Sequence, residues 1–464
     1  MSKTNSRQYR PPRGTHFPEF LVHHTFEILS SYPKFGPVKY GFPPLQFFED
    51  GEKVRGKNEF GFNSPPTGWH ADYNQRRAGG ATFMTASDWD SARRNWTVTL
   101  MFALTAAAAI SVVPWYGISH GFHAAAWMWF ALLLSVNELA ITCGYHRLFA
   151  HAAYGARPAL KVAYLLFGAM ALQNSALLWS AGHRTHHRYI DDPERDPYCA
   201  RRGFWFSHIG WMLRNYPSGN PDLSTVRDLQ RDPWVMWQHR YYLPLTLFMN
   251  IGVPLLIGRA SGDMLGVFLL GGVLRLVVSH HLTFCINSLA HIVGIQPYTD
   301  ENTARDNAVV ALLTFGEGYH NFHHMFANDY RNGVRWWQWD PSKWFIYSMQ
   351  WTGLTTDLKR VPWFKIRRAL LDNQFRRAER QLARRAACGA QQIEQLRSRI
   401  AEEYETFCQA VVAWTQLRDQ WLQETRRSMI ERWERALLQS RLKELEYGLR
   451  LQSRRMRALS AQLG

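Results

Sequence analysis

The sequence has 464 residues, a formal net charge of +17 and five cysteines. Cys143, Cys199, Cys285, Cys388 and Cys408 are widely spaced, odd in number and free of any CxxC pair, which excludes a zinc ribbon and a disulfide framework. The charge alone suits nucleic acid, an anionic membrane surface or an acidic ligand, but there is no C2H2 finger, RNP motif or basic and aromatic interleaving, and no nucleic-acid role is expected.

Residues 1–94 are rich in Pro, Gly and aromatics and read as a loop-rich cytoplasmic segment. The opening stretch MSKTNSRQYRPPRG lacks an apolar core, so insertion is expected to rely on internal helices rather than a cleaved signal. The run TVTLMFALTAAAAISVVP is uncharged and meets the roughly 20 apolar residues that a hydrocarbon core demands. By the same criterion four spans are predicted, at about 97–116, 122–143, 241–258 and 264–285. Arg is abundant between Tyr145 and Tyr241 and scarce in the two short loops of the span pairs, so the positive-inside rule puts both termini and the His-rich regions in the cytoplasm. PALKVAYLLFGAMALQNSALL, residues 158–178, is read as an interfacial helix, because a fifth crossing would separate the histidine clusters. Beyond Pro362 the chain turns to Arg, Glu, Gln, Leu and Ala. Residues 363–464 are expected to form one or two long helices, with a coiled coil left open by an imperfect heptad.

Four clusters carry the chemistry: HRLFAH from His146, HRTHH from His183, NSLAH ending at His291, and HNFHH from His320. In HxxHH, positions i, i+3 and i+4 share a helix face, so three rings converge. The five-residue spacing of His146 and His151 would turn one ring about 140° from the other on an α-helix, which predicts that one of them comes from a loop. A lone histidine is ordinarily a surface or packing residue, and His280 and His281 inside the fourth span are read so. Two HxxHH boxes with two further clusters on one predicted side indicate metal. Imidazole suits zinc, copper and iron alike, but nine rings exceed one ion's coordination, and HExxH is absent, so a redox pair working with dioxygen fits better than zinc hydrolysis. Arg275 in the fourth span is expected to face the protein interior or a carboxylate such as Glu138.

With GYHRLFAH, HRTHH, RRGFWFSHIGW, NSLAHIVGIQPY and GEGYHNFHHMFANDY, the chain from about Asn95 to Leu358 resembles the membrane acyl-CoA desaturases of the stearoyl-CoA Δ9 type. The resemblance implies an all-α integral membrane protein, four transmembrane helices under a cytosolic helical cap that holds a di-metal site, here with a long C-terminal helical extension. It implies two iron ions held by His146, His151, His183, His186, His187, His291, His320, His323 and His324, with Asn287 acting through water and no catalytic residue beyond that centre. The implied reaction uses O2 and two electrons to convert a saturated acyl thioester into a cis-monounsaturated one. Gln173, Trp179 and Thr283 match residues lining the bend of the acyl tunnel, while Asn174, Arg202 and Arg214 are candidates for the thioester arm or phosphates.

Two departures bear on the substrate. Ala181 and Gly182 stand where relatives often carry Arg-Asp, which leaves the carrier open between CoA and another acyl carrier, and Phe284 replaces a common Trp. There is no HPGG haem motif or CxxC-rich iron-sulfur pattern, so a separate electron donor, cytochrome b5, ferredoxin or similar, is expected. The bilayer is the other expected partner, in a bacterial inner membrane or the endoplasmic reticulum, and the C-terminal helices are a place for homo-oligomer or partner contacts. The competing readings are a di-iron hydroxylase of acyl, alkane or sterol chains and a membrane metal sensor or transporter.

Overall fold

A computed structural model describes residues 92–385, 390–426 and 432–461, all in the unit Thr82–Gly464. The N-terminal segment expected at 1–94 falls outside the described residues except for its last three. Four helices are long and apolar enough to cross a bilayer: α1 (Trp96–Ser119), α2 (Ala124–Ala150), and two later ones. The protein is an all-α membrane protein, and its bilayer-facing surface accounts for the exposed Leu100, Leu104, Ile110 and Ile118 of α1. Asn95 starts α1 by accepting a hydrogen bond from the Val98 amide at 3.3 Å.

After α2 come a two-residue strand β1 (Gly155–Ala156) and α3 (Pro158–Ala169). With 12 residues α3 rises about 18 Å, too little for a hydrocarbon core of roughly 30 Å. The predicted helix at 158–178 is therefore two helices. Leu172 and Asn174 adopt positive φ (50° and 76°), and Ser175 caps α4 (Ala176–Tyr189) by accepting from the Leu178 amide. Asn tolerates that backbone region and Ser favours an N-cap, so the stop and start are written in Gln173-Asn174-Ser175. Helix α5 (Pro233–Arg240) leads to the other two spans, α6 (Tyr242–Ala260) and α7 (Met264–Ile292). The cap continues through α8 (Ala308–Leu313), α9 (His320–Met325), α10 (Pro341–Trp351) and β2 (Thr355–Thr356), which pairs antiparallel with β1.

Prolines inside α1 and α6 are handled alike. Pro114 follows the π-wound stretch Ala108–Val112, and Pro254 follows Phe248–Gly252. A proline donates no hydrogen bond and crowds the carbonyl four residues back, and a widened turn just before it relieves both. Helices α2 and α3 approach through reciprocal glycine and tyrosine pairs. A Cβ on Gly144 would lie 2.6 Å from Tyr164 Cβ, and one on Gly168 would run into the Tyr145 ring.

Of the two expectations for Arg275, the protein interior is the one found: it is fully buried and meets neutral oxygens rather than Glu138. Its guanidinium donates to Asn137 Oδ1 (3.1 Å), Met170 O (2.6 Å), Asn250 Oδ1 (2.6 Å) and Gly271 O (3.0 Å), tying α2, α6 and α7 to the turn after α3. Glu138 instead accepts from Ser279 Oγ at 2.7 Å. Neutral oxygens thus satisfy the buried cation's donors, which removes the need for a facing carboxylate. His280 and His281 behave as the packing and network residues expected: His280 Nε2 meets Ala171 O at 2.7 Å and His281 Nδ1 meets His208 Nε2 at 3.1 Å.

In the C-terminal extension the described residues form helices α11 (Trp363–Arg385), α12 (Ala390–Arg426) and α13 (Arg432–Ala461). They bury Phe364, Leu371, Ala378, Phe407, Val411, Trp414 and Leu449 against one another, while Val412, Leu437, Tyr447 and Leu451 stay exposed. Replacing Gly168 with Ala should lower stability by about 1–3 kcal/mol through overpacking against Tyr145. Thermal unfolding in detergent checks this, and an unchanged midpoint would contradict the close approach of α2 and α3.

Candidate metal centre

The cap gathers all nine histidines of the four boxes into two groups. His146, His151, His183, His187 and His323 form one; His186, His291, His320 and His324 form the other. In each group the potential ligand atoms lie within 4.8 Å of one another. Helix α4 supplies His183, His186 and His187 and α9 supplies His320, His323 and His324, but neither triplet converges on one point as expected: His186 parts from His183 and His187, and His323 parts from His320 and His324, so each of these boxes serves both groups.

The pair His146 and His151 is reached differently from the loop expected for it. The last eleven residues of α2, Ala140–Ala150, are π-wound, and the amide of His151 donates to the carbonyl of His146 at 3.1 Å. Bonding from i to i+5 brings the fifth residue back over the first, so both rings face the centre with centroids 4.9 Å apart.

What turns these rings into ligands is the fate of their other nitrogens. His146 Nδ1 lies 2.8 Å from Glu317 Oε2, and His186 Nδ1 lies 2.8 Å from Asp196 Oδ1. His291 Nδ1 lies 2.9 Å from Thr303 Oγ1, whose single hydroxyl proton goes to Asp191 Oδ1, so the hydroxyl must accept from the ring. Each proton is thereby fixed on Nδ1 and each Nε2 keeps its lone pair. The Nε2 atoms then face one another: His146 to His323 at 2.9 Å, His186 to His324 at 3.3 Å, His291 to His320 at 3.1 Å. Lone pairs crowded in this way repel unless a cation sits among them, and this donor set suits a transition metal.

Electrostatics agree. Burial, reinforced by the neighbouring imidazoles, holds His151, His183, His187, His323 and His324 well below the usual histidine range and lowers His320 to about 3. These rings are neutral at pH 7, the form that binds metal. Burial pushes Glu317 up, but His146 and Arg147 outweigh it and leave the carboxyl at about 2, ionised and able to accept. Arg147 donates to Glu317 Oε1 at 2.9 Å and also reaches Asp340 at 3.0 Å.

Sequence reasoning missed these supporting residues: Asp191, Asp196, Thr303 and Glu317. The signal available was chemical, since every ligating ring needs an acceptor for its second nitrogen, and acidic residues stand just after HRTHH and three positions before HNFHH.

A cavity of about 440 Å³ runs beside both groups, lined by His146, His183, His186 and His320. Of the expected substrate residues, Gln173, Asn174, Trp179, Thr283 and Arg214 line it, as does Asn287. Gln173 donates to Thr283 Oγ1 at 3.0 Å and accepts from Trp179 Nε1 at 3.3 Å, and the Trp179 ring stacks on His183. Arg202 is not among the lining residues. Its guanidinium lies over Phe206 and over Tyr216, which does line the cavity.

These titrations set a pH dependence. Histidines with depressed folded values bind fewer protons folded than unfolded below pH 6.5, so the stability they confer is full above that value and falls as pH drops beneath it. Glu317, depressed to about 2, adds a loss of the same sign between about 4.5 and 2. The metal-free protein should therefore melt at progressively lower temperature from pH 7 to pH 5. A flat profile by scanning fluorimetry would mean that the rings are not buried neutral.

Residues 124–346 match the family described as fatty acid desaturase. A probable acyl-CoA desaturase of Schizosaccharomyces pombe is 45% identical over 239 residues, 51% of this chain and 50% of that protein. Acyl-CoA desaturase 1 of Saccharomyces cerevisiae is 37% identical over 316 residues, 67% of this chain and 62% of that protein. The chain thus spans about half to three-fifths of these two relatives. It covers more of stearoyl-CoA desaturase 5 of Bos taurus, 39% identical over 241 residues, 51% of this chain and 71% of that protein. On these matches, and with a helical membrane bundle beneath its histidine groups, the chain belongs to the fatty acid desaturase family.

Proposed function

We propose that this protein desaturates a long-chain fatty acyl thioester, with acyl-CoA as carrier and a cis-Δ9 product. The observation that carries the reading is the cavity lined by both apolar residues and four of the converging histidines. Relatives named acyl-CoA and stearoyl-CoA desaturases support the substrate class.

The nine histidines would hold two iron ions, with Asn287 holding a water near them. When bound, the iron pair supplies the oxidising power that unactivated methylenes require. In the overall balance two hydrogens leave adjacent carbons, O2 takes them up with two electrons and two protons, and two waters form. The chain's own residues do the rest. Glu317, Asp196 and the Thr303–Asp191 pair keep protons on Nδ1 and lone pairs inward. The bonded trio Gln173, Trp179 and Thr283 supplies a rigid polar step in an otherwise apolar wall, against which an acyl chain can be held in register with the metal. Arg214 and Asn174 line the same cavity and can meet the thioester arm. Arg202 stands behind Tyr216 and would act through it.

The abundance of Arg between the span pairs favours a cytoplasmic site and cytoplasmic termini. Electrons come from a separate donor, and the basic balance of the chain favours an acidic one.

Expression in a desaturase-deficient host should yield a new monounsaturated acid by gas chromatography with mass spectrometry, and His186→Ala should abolish it. A hydroxylated product would instead assign the chain to the hydroxylases. Within the same assay, Gln173→Leu should scatter the double-bond position and lower yield at least severalfold, because it breaks the link between Trp179 and Thr283. A single unshifted product at full yield would remove the trio from register control.

A further inference from the structure

We propose that helix α11 of the C-terminal extension is a positioning element for the metal centre, clasping the segment that orients the four-histidine group. The inference rests on the metal reading above.

Asn373, Arg376, Arg377 and Arg380 occupy positions i, i+3, i+4 and i+7 of α11 and so share one face. That face meets residues 296–301. Asn373 Nδ2 donates to Gln296 O at 2.7 Å and Arg377 Nη2 donates to the same carbonyl at 2.9 Å. Arg380 Nη2 meets Asp300 Oδ2 at 2.6 Å, and Arg376 Nη1 meets Glu301 Oε1 at 3.4 Å. Asn373 is fully buried, so this is a packed contact and not a salt-bridged surface alone.

The clasped segment leads directly into contacts with the metal centre. Thr303 accepts the hydrogen bond of His291 Nδ1 and is itself tied to Asp191 through both its hydroxyl and its amide. Asn321, between His320 and His323, donates to Thr299 O at 2.8 Å and Ala304 O at 2.9 Å, and accepts from the Tyr298 amide. Residues 296–304 therefore form a plate, with α11 on one side and, on the other, Thr303 supporting His291 and Asn321 anchoring α9, which carries His320 and His324. Of the five-histidine group only His323 shares α9; His146 and His183 draw their supports elsewhere, from Glu317 in the turn before α9 and from Tyr198. Loosening the clasp should thus affect one ion more than its neighbour.

The test uses the full-length protein in detergent, loaded with ferrous iron and challenged with a ferrous chelator. Arg377→Ala with Arg380→Ala should release one of the two iron equivalents roughly two- to fivefold faster, the scale expected for part-exposed ion pairs, while the second leaves at the wild-type rate. Asp300→Asn, changed from the opposite partner that both Arg377 and Arg380 meet, should do the same. Hydrogen exchange over residues 296–304 should rise in the loosened variants and stay at the wild-type level in the conservative pair Arg377→Lys with Arg380→Lys. Wild-type release and exchange in every variant would overturn the clasp, as would equal acceleration of both ions together with a lowered melting point. A wild-type chain that retains no iron would instead overturn the metal reading beneath it.

Discussion

A neutral imidazole turns a chosen lone pair toward a metal when its other nitrogen, keeping its proton, donates a hydrogen bond to a fixed acceptor, and the cap is organised around that arrangement. Glu317, Asp196 and the Thr303–Asp191 pair come from three separate stretches of chain, yet each ends 2.8–2.9 Å from a histidine Nδ1. Burying ionised carboxylates is costly unless they are matched, and here they are. Glu317 is held between His146 and Arg147, and Arg147 is in turn shared with Asp340, which accepts from the amides of Asn332 and Gly333. The metal-facing side of the cap is therefore fixed by a charge network that extends well beyond the rings themselves.

The membrane helices follow a different rule. Their outer faces stay apolar, while their inner polar groups are satisfied locally, Arg275 by four neutral oxygens and Glu138 by Ser279. The cavity passes between these regimes. Its wall carries Met101, Phe102, Ile141 and Phe284 together with His146, His183, His186 and His320 of the metal groups, so an apolar chain can lie beside rings placed to hold a metal ion.

How much of this was legible depended on whether the signal was local. The spans were legible because hydropathy needs no partner, and the HxxHH boxes because their rings share a helix face, but the way each box divides its rings between the two groups was not. The partners of those histidines were not, since Asp191, Asp196, Glu317 and Thr303 are ordinary polar residues until tertiary structure brings them to a ring. For Arg275 its burial was legible but not its partners: a buried cation suggests an anion, but amide and carbonyl oxygens from four places did the work of one carboxylate. The break after α3 was written in Gln173-Asn174-Ser175 and hidden by the apolar run around it.

The π-wound end of α2 has a consequence for how this protein can vary. On an α-helix two rings meet at a separation of four, whereas the wider coil here needs five, so the residue count between His146 and His151 and the winding of Ala140–Ala150 are a compensated pair. A one-residue deletion in the box would be absorbed only if the whole stretch rewound, shifting side chains that are buried on every side. Insertions and deletions at this point are therefore closed to gradual change, while substitutions that preserve the count remain open.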